Sequence, residues 1–371
     1  MANTFLFPIL QSQPVGLTGL ARMAQEAEYA DEGHQIEFRA MKVRSVLNRS
    51  TSKRQLSLAY SINPYRGCEF GCKYCYARYT HEFLAPATGS GSQASQEIDP
   101  GSSSSPSGIS LRDPEAFERR IFIKQNAAWL LEQELKKIDP AEEIAIGTAT
   151  DPYQPIERRA RVTRSILEVF ARKSGYRIGI ITKSRLIERD VDLLQEIGRR
   201  NHLVVHLTIT TADAALARIL EPRAPRPDLR LTAVQRLREA GIVTGILCSP
   251  LLPGITDSAN ALDEMARQAA AVGASFFAAQ PLFLKSCSRP TYLSFVREHF
   301  PALEADYAAR FAERDFATPE YRRKLEMMVT EACRKYGLRE RSSDALLTRD
   351  VGAARRAVES VRSQQQQKLF A

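Results

Sequence analysis

Short apolar runs alternate with amphipathic segments along most of the chain. The β-rich runs cover residues 56–62, 143–148, 177–182, 202–210, 242–248 and 274–283. Helical spacing of apolar residues follows them, over residues 161–173, 186–199, 212–220, 229–240 and 258–272. Strands that alternate with amphipathic helices predict parallel strands joined by right-handed crossovers. Six such units predict an α/β fold, a partial (β/α)6 TIM-type barrel.

Segments that lack this alternating pattern mark the predicted boundaries of the barrel. The N-terminal segment shows no clear strand periodicity and includes a helical-looking acidic stretch at residues 21–32, so we expect it to pack on the barrel or stay mobile. Low hydrophobicity with many Gly and Ser residues predicts a disordered insertion at residues 85–114. The predicted regions are an N-terminal extension (1–55), the barrel (56–287), a C-terminal helical region (288–362) and a disordered Gln-rich tail (363–371).

Three cysteines follow the first predicted strand with the spacing C-x3-C-x2-C. They are Cys68, Cys72 and Cys75. Thiolates are soft ligands, and such a cluster indicates iron–sulfur or zinc binding. A structural zinc site needs a fourth ligand, and His81 is the one nearby candidate. Three thiolates instead leave one iron of a 4Fe–4S cluster open to a small molecule. Zinc and a plain electron-carrier cluster stay open as alternatives.

The sequence around these cysteines resembles one family. Asn63-Pro-Tyr-Arg-Gly-Cys68, followed by Cys72-Lys-Tyr-Cys75-Tyr-Ala-Arg, is similar to the radical S-adenosylmethionine (SAM) enzymes, and within them to the subgroup related to spore photoproduct lyase. The resemblance implies that the three cysteines bind a 4Fe–4S cluster whose open iron chelates SAM. Electron transfer then cleaves SAM to a 5′-deoxyadenosyl radical. Tyr74 is the aromatic residue that this family typically has before the third cysteine.

In such barrels the chemistry collects at the C-terminal ends of the strands, because the βα loops converge there. The family places the segment that holds the SAM amino group after the second strand, which implies a cofactor role for Thr148, Thr150 and Asp151. Asp151 before a proline could instead set a turn. Lys183 and Ser184 end the third strand. The resemblance implies that this lysine binds the methionine carboxylate, and a solvated lysine is the alternative.

Later strand ends carry further candidates. Thr208 and Thr210 end the fourth strand and could meet the SAM ribose, although threonine is also an ordinary strand residue. Glu221 and Arg223 lie in a proline-stiffened segment that resembles a Glu-Pro-Arg segment of the related families, which implies a cofactor or substrate contact. A surface ion pair between these two residues is the alternative. Cys248 ends the fifth strand, where a thiol could donate a hydrogen atom, or could be a small core residue.

The charge and composition of the chain favour some classes of function over others. Fifty-two basic and 43 acidic residues give a net charge of +9, which favours an anionic partner such as nucleic acid. The chain has no run of about 18 apolar residues, so we expect no membrane span. Its apolar N-terminal patch lacks preceding basic residues and is no convincing signal peptide. The scattered cysteines form no disulfide framework, which predicts a reducing, cytoplasmic location.

The resemblance therefore implies a radical SAM enzyme, lyase-like in its reaction. A nucleic-acid base, as in DNA repair, is the expected substrate, with flavodoxin or ferredoxin as electron donor. Spore photoproduct lyase uses a cysteine donor near its second strand, whereas this chain has Thr148-Ala-Thr-Asp there, which argues against thymine-dimer-type repair. Radical modification of a protein, peptide or small molecule stays open, as does a non-catalytic iron–sulfur electron-transfer or binding protein.

Overall fold

The structure is a computed structural model that describes residues 36–49, 58–84 and 110–339, the backbone of Glu28–Gly33, and three isolated positions before it. Residues 85–109 of the predicted insertion, and the predicted tail, lie outside the described residues. In chain order the strands are β1 (Glu28–Gly33), β2 (Ile36–Met41), β3 (Leu47–Arg49), β4 (Leu58–Ile62), β5 (Tyr65–Arg66), β6 (Arg120–Lys124), β7 (Glu143–Ile146), β8 (Arg177–Thr182), β9 (His202–Thr208), β10 (Thr244–Leu251) and β11 (Phe277–Pro281).

A seven-stranded sheet forms the barrel wall. Its strand order is β11-β10-β9-β8-β7-β4-β3. All neighbours from β4 to β11 pair in parallel, and β3 adds an antiparallel edge to β4. The sheet is not closed, because β3 and β11 are its two edges. This arrangement confirms the predicted partial barrel of six parallel strands.

Helices pack on this sheet and around it. In chain order they are α1 (Ala116–Arg119), α2 (Ala127–Glu134), α3 (Glu157–Ala160), α4 (Val162–Ala171), α5 (Val191–Arg200), α6 (Ala214–Leu220), α7 (Pro227–Glu239), α8 (Ala259–Ala271), α9 (Arg289–His299), α10 (Glu304–Arg310) and α11 (Pro319–Tyr336). Side-chain caps fix where some of them begin. Asp213, for example, accepts hydrogen bonds from the Ala215 and Leu216 amides and satisfies donors that the first turn of α6 leaves unpaired.

The main core lies between the sheet and these helices. Ile144, Ile178 and Val205 come from successive strands and are fully buried. They belong to one apolar cluster with Leu194 of α5 and Val234 of α7. Burying aliphatic side chains of this size contributes about 1.5–3 kcal/mol each. The apolar strand pattern in the sequence reflects this burial. The packed core holds the parallel strands side by side, so that their C-terminal ends meet at one end of the barrel, which we call the mouth.

The N-terminal region corrects one expectation. The helical prediction for residues 21–32 is wrong over residues 28–32, which belong to the strand Glu28–Gly33, antiparallel to β2. These strands belong to a second sheet in the order β1-β2-β6-β5. Strand β2 pairs in parallel with β6, about 80 residues away, starting at Glu37 and Arg120. Local periodicity carries no signal for a pairing of such long range, which is why the sequence pattern missed this sheet.

The C-terminal helices pack on the far edge of the barrel. Cys333 of α11 lies with its Sγ atom 3.6 Å from the Phe277 carbonyl oxygen of β11. Lys335 pairs with Asp263 of α8 at 2.7 Å. Residues 340–362 of the predicted helical region lie outside the described residues. Within the described part of the chain, none of the helices is both long enough and apolar enough to cross a membrane.

Candidate cluster and cofactor site

The cysteine loop lies at the C-terminal end of β4, as the strand-end rule predicts. Cys68 and Cys72 are 9% and 8% exposed, and they pack in an apolar cluster with Phe70 and Phe117. The Cys68 amide donates to the Phe117 carbonyl at 2.8 Å. Gly67 has a φ of +83°, and a Cβ atom there would come within 2.7 Å of the same carbonyl oxygen. The tight entry to the loop therefore requires glycine at this position.

Burial keeps the three thiols protonated in the absence of a cation. It raises the pKa of Cys68, Cys72 and Cys75, and that of Cys72 rises to about 12. The thiols also raise one another's pKa, so they lie within electrostatic range of each other. A bound cationic centre would reverse this effect and hold them as thiolates. The loop thus has the chemistry of a ligand set for a cationic centre.

The kind of centre that these thiols could hold depends on how far apart they lie. Among the described residues, no three His, Cys, Asp or Glu side chains are arranged to hold a single metal ion. A 4Fe–4S cluster places its thiolates on separate iron corners and therefore spreads them further apart than one ion does. The three cysteines offer soft thiol donors, which are the ligands that hold the irons of such a cluster.

The loop after β7 holds the cysteine loop in place. Thr150 Oγ1 donates to the Gly67 carbonyl at 2.5 Å. The Glu69 amide donates to Gln154 Oε1 at 2.9 Å, and Glu69 Oε1 accepts from the Ile156 amide at 2.6 Å. Thr150 is therefore a support for the cysteine loop in this structure. Gln154 and Glu69 were missed by the sequence reasoning, since no local pattern links them.

Asp151 ties β7 to β8. Its Oδ1 atom accepts from the Tyr153 amide at 2.9 Å and from Thr182 Oγ1 at 2.7 Å. Its Oδ2 atom accepts from the Lys183 amide at 2.7 Å. Burial raises the pKa of this carboxyl, and these hydrogen bonds oppose the rise. The geometry agrees with the turn-setting alternative, and it places the backbone of Lys183 at the mouth.

Two predicted residues border the mouth itself. Thr148 is half-buried and accepts a hydrogen bond from Asn63 Nδ2 at 3.3 Å, while its carbonyl accepts from the Tyr76 hydroxyl. Lys183 Nζ lies 5.7 Å from the centre of the Tyr74 ring. Burial lowers the pKa of Lys183, but the thiol of Cys72 and the carboxylate of Glu221 outweigh it, so the pKa is raised overall. In the described part of the chain its ammonium has no ion-pair partner within 4.0 Å.

A buried polar network lies behind the third cysteine. The Tyr74 hydroxyl donates to Glu221 Oε1 and lies 2.9 Å from Thr210 Oγ1, which is itself 3.0 Å from Glu221. The other carboxylate oxygen of Glu221 pairs with Arg230. Burial raises the pKa of Glu221, but Arg230 and Lys183 outweigh it, so the pKa falls below its usual range. The network holds the ring of Tyr74, which lies between Cys72 and Cys75 in the sequence, in a fixed position.

The segment after α6 fastens the cysteine loop from the outside. The Lys73 amide donates to the Leu220 carbonyl at 2.9 Å, and the Arg223 amide to the Phe70 carbonyl at 3.4 Å. The ion pair expected as the alternative for Glu221 and Arg223 does not form. Glu221 pairs with Arg230 instead, and the Arg223 guanidinium lies 3.7 Å from Glu118. Arg230 lies within the predicted helix at residues 229–240, and the helical pattern gave no indication of this partner.

The remaining candidates lie away from the mouth or have structural partners. Ser184 accepts from the Leu186 amide at 3.2 Å and starts the turn after β8. The Thr208 carbonyl accepts from Arg230 at 3.1 Å. Cys248 is 1% exposed and belongs to the main core cluster with Ile246. Because its thiol is enclosed in the core, we leave Cys248 out of the proposed catalytic residues.

Comparisons with known proteins agree with this geometry. Residues 62–266 match the model of the radical SAM superfamily. The chain is 30% identical over 304 residues to an uncharacterized protein of Mycobacterium tuberculosis, covering 82% of both proteins. An uncharacterized protein of Methanocaldococcus jannaschii is 29% identical over 198 residues, covering 53% of this chain and 62% of that protein.

Solved structures of spore photoproduct lyase share the fold. One mutant superposes with a TM-score of 0.56 at 16% identity, covering 88% of this chain and 85% of that one. Another, with bound AdoMet and dinucleoside spore photoproduct, superposes with a TM-score of 0.54 at 13% identity and the same coverage.

The open parallel barrel and its cysteine loop define an iron–sulfur enzyme of the TIM-barrel type. More specifically, the chain belongs to the radical SAM superfamily. Its cofactors are accordingly a 4Fe–4S cluster and SAM. When bound, they supply an electron and a carbon-centred radical that removes hydrogen from a substrate.

Proposed function

We propose that this enzyme performs radical chemistry on a base of a nucleic acid. The net charge of +9 is the observation that supports an anionic substrate most directly. The fold shared with a spore photoproduct lyase bound to a dinucleoside lesion supports a mouth of suitable shape. A target base in duplex would have to leave the stack to reach a site inside the barrel.

Within this proposal, Cys68, Cys72 and Cys75 hold the cluster. Lys183 binds the carboxylate of SAM, since its ammonium lies at the mouth close to Cys72 and has no fixed partner among the described residues. The Thr148 hydroxyl, after the neighbouring strand β7, offers a neutral polar contact at the same end of the barrel. An ammonium and a carboxylate form a charge-assisted hydrogen bond, which is stronger than a neutral one.

The other candidates position these groups. Thr150 and Asp151 hold the cysteine loop and the start of the Lys183 segment. Tyr74, Thr210 and Glu221 exclude water from the space behind the cluster, because they occupy one another's hydrogen-bonding groups. A dry, rigid wall limits side reactions of a radical with solvent. A small reducing protein such as flavodoxin or ferredoxin is the proposed electron donor.

Product analysis tests the substrate class. The reconstituted and reduced protein is incubated anaerobically with SAM and lesion-bearing DNA, and the nucleosides are separated by mass after digestion. We expect a SAM-dependent change in the lesion, accompanied by 5′-deoxyadenosine. The same incubation with undamaged DNA and with polyglutamate is the control. Formation of 5′-deoxyadenosine that no nucleic acid stimulates or couples to a product would refute the nucleic-acid proposal.

A further inference from the structure

Aromatic side chains form a row beside the cysteine loop, on three segments that are distant from one another in sequence. The Tyr76 and Phe283 ring centres lie 5.6 Å apart, and Phe283 stacks on Phe316 at 4.2 Å. Tyr79 and Phe83 meet edge to face at 5.9 Å. We call these five residues the aromatic rim. Their contacts leave ring surface uncovered instead of enclosing it in a core.

Exposure separates this group from an ordinary core cluster. Tyr76 is 39% exposed and Phe83 is 56% exposed. Within the described ranges only two further large hydrophobic side chains, Trp129 and Met327, are exposed to this degree. Aromatic surface concentrated in one place on a soluble protein marks a binding surface more often than single exposed side chains do.

The aromatic rim adjoins the mouth. Tyr76 directly follows the ligand Cys75, its hydroxyl donates to the Thr148 carbonyl, and its side chain stays partly exposed. Phe283 follows the C-terminal end of β11. The same loop contacts the ligand, since Ser288 Oγ donates to the Cys75 carbonyl at 2.8 Å. A group that stacks on the rim would therefore lie next to the reactive site.

One cation joins the two parts of the aromatic rim. Lys285 Nζ lies 4.9 Å from the Tyr79 ring centre and 5.8 Å from that of Phe283. Among the described residues no carboxylate forms an ion pair with it. Aromatic faces beside a free ammonium suit a base with its phosphate, because the base stacks and the phosphate meets the charge. Single strands expose base faces, whereas duplex DNA hides them.

We propose that the aromatic rim binds an unpaired base of a single-stranded nucleic acid and that Lys285 binds the adjoining phosphate. This inference deepens the proposed function and rests on it, since the rim would hold a nucleotide that neighbours the reacting one. The stacked base anchors the strand while the next nucleotide enters the mouth. Stacking is tolerant of base identity, so the rim adds affinity with little sequence preference.

Fluorescence anisotropy with the cluster-loaded protein tests this site without turnover. The probe is a labelled single-stranded oligodeoxynucleotide of about 12 nucleotides. Phe83→Ala and Lys285→Gln should each weaken binding about tenfold. Lys285→Gln should also lower the dependence of log K on log salt by about 0.7. The matched controls, Trp129→Ala and Lys324→Gln, remove an exposed aromatic ring and an exposed cation elsewhere, and should change affinity less than about twofold.

A second probe separates stacking from charge. An abasic oligonucleotide of the same length keeps the phosphates, so it should bind more weakly than the normal strand and be insensitive to Phe83→Ala. If the rim variants and the matched controls lose affinity for the oligonucleotide equally, the rim assignment is overturned and the proposed function is left intact. Wild-type affinity for the single-stranded oligonucleotide no greater than for polyglutamate would overturn the rim assignment, and the same result with duplex and lesion-bearing DNA as well would overturn the proposed function itself.

Discussion

Glu221 and Arg230 form an ion pair in which both side chains are 1% exposed. The pair is nine residues apart in sequence and lies behind the cluster-binding loop. Tyr74, between two cluster ligands, donates its hydroxyl hydrogen bond to the same carboxylate. The position of the loop is therefore linked to a charge pair that water cannot reach, and this linkage makes the pair a sensitive place to test the site.

Replacing Glu221 by Gln should destabilise the protein strongly. The change leaves the Arg230 charge buried without a counter-charge, which typically costs about 3–5 kcal/mol. Urea unfolding of the cluster-free protein measures the loss in free energy of unfolding. Arg226→Gln is the matched control, because it breaks the exposed Arg226–Asp228 pair in the same segment and should leave the unfolding midpoint nearly unchanged. Similar midpoints for both variants would show that the buried pair has no such role.

Gly67→Ala should impair cluster retention. A Cβ atom there would come within 2.7 Å of the Phe117 carbonyl oxygen and 2.9 Å of that of Arg120, and backbone atoms cannot move aside easily. Gly241→Ala is the control, because Gly241 also has positive φ (+78°) but has no atom within 4 Å of an added Cβ. Iron and sulfide per chain after reconstitution are the measurement. Equal iron content in the two variants would contradict the close-approach explanation.

Lys183→Met should weaken SAM binding while the cluster stays in place. Loss of a charge-assisted hydrogen bond to the carboxylate predicts an affinity lower by about tenfold or more. Titration calorimetry of the reconstituted protein gives the affinity, and the visible spectrum reports the cluster. Lys324→Met removes an exposed lysine on α11 and should bind SAM normally. An unchanged SAM affinity in Lys183→Met would remove Lys183 from the proposed site.

His206 should make stability depend on pH. Burial lowers its pKa from 6.5 to about 4, and neither ring nitrogen has a hydrogen-bond partner among the described residues. Between these two pH values the unfolded chain binds a proton at His206 and the folded chain does not. The free energy of unfolding therefore falls as the pH drops from 6.5 towards 4. At the lower of these pH values, His206 accounts for roughly 3 kcal/mol of the decrease in the free energy of unfolding. The variant His206→Leu should lack this part of the pH dependence, and urea unfolding at several pH values measures it. Parallel profiles for variant and wild type would disprove the assignment.

The parts of this site that depend on neighbouring residues in the chain could be predicted from the sequence. The spacing of Cys68, Cys72 and Cys75 lies within one loop, and the strand ends at Asp151 and Lys183 follow from apolar periodicity. Parallel strands bring such ends to one edge, so their neighbourhood was predictable. The cytoplasmic location remains a prediction.

Long-range partners were not predictable in this way. The hydrogen bonds of Gln154 to the cysteine loop join residues about 85 positions apart, and β2 pairs with β6 over a similar separation. The Arg230 partner of Glu221 depends on how α7 packs. The burial of Cys248 depends on the side chains that pack around it in the core. None of these features leaves a local trace in the sequence pattern.

Cleavage of SAM by the reduced, reconstituted protein tests the central claim most directly. The wild type should convert SAM to 5′-deoxyadenosine and methionine, and a variant with Cys248, Cys287 and Cys333 all changed to Ala should form a cluster and do the same. The variant with Cys68, Cys72 and Cys75 changed to Ala should bind no 4Fe–4S cluster and release no 5′-deoxyadenosine. If that second variant retains the cluster or the cleavage activity, the assignment of the site is contradicted.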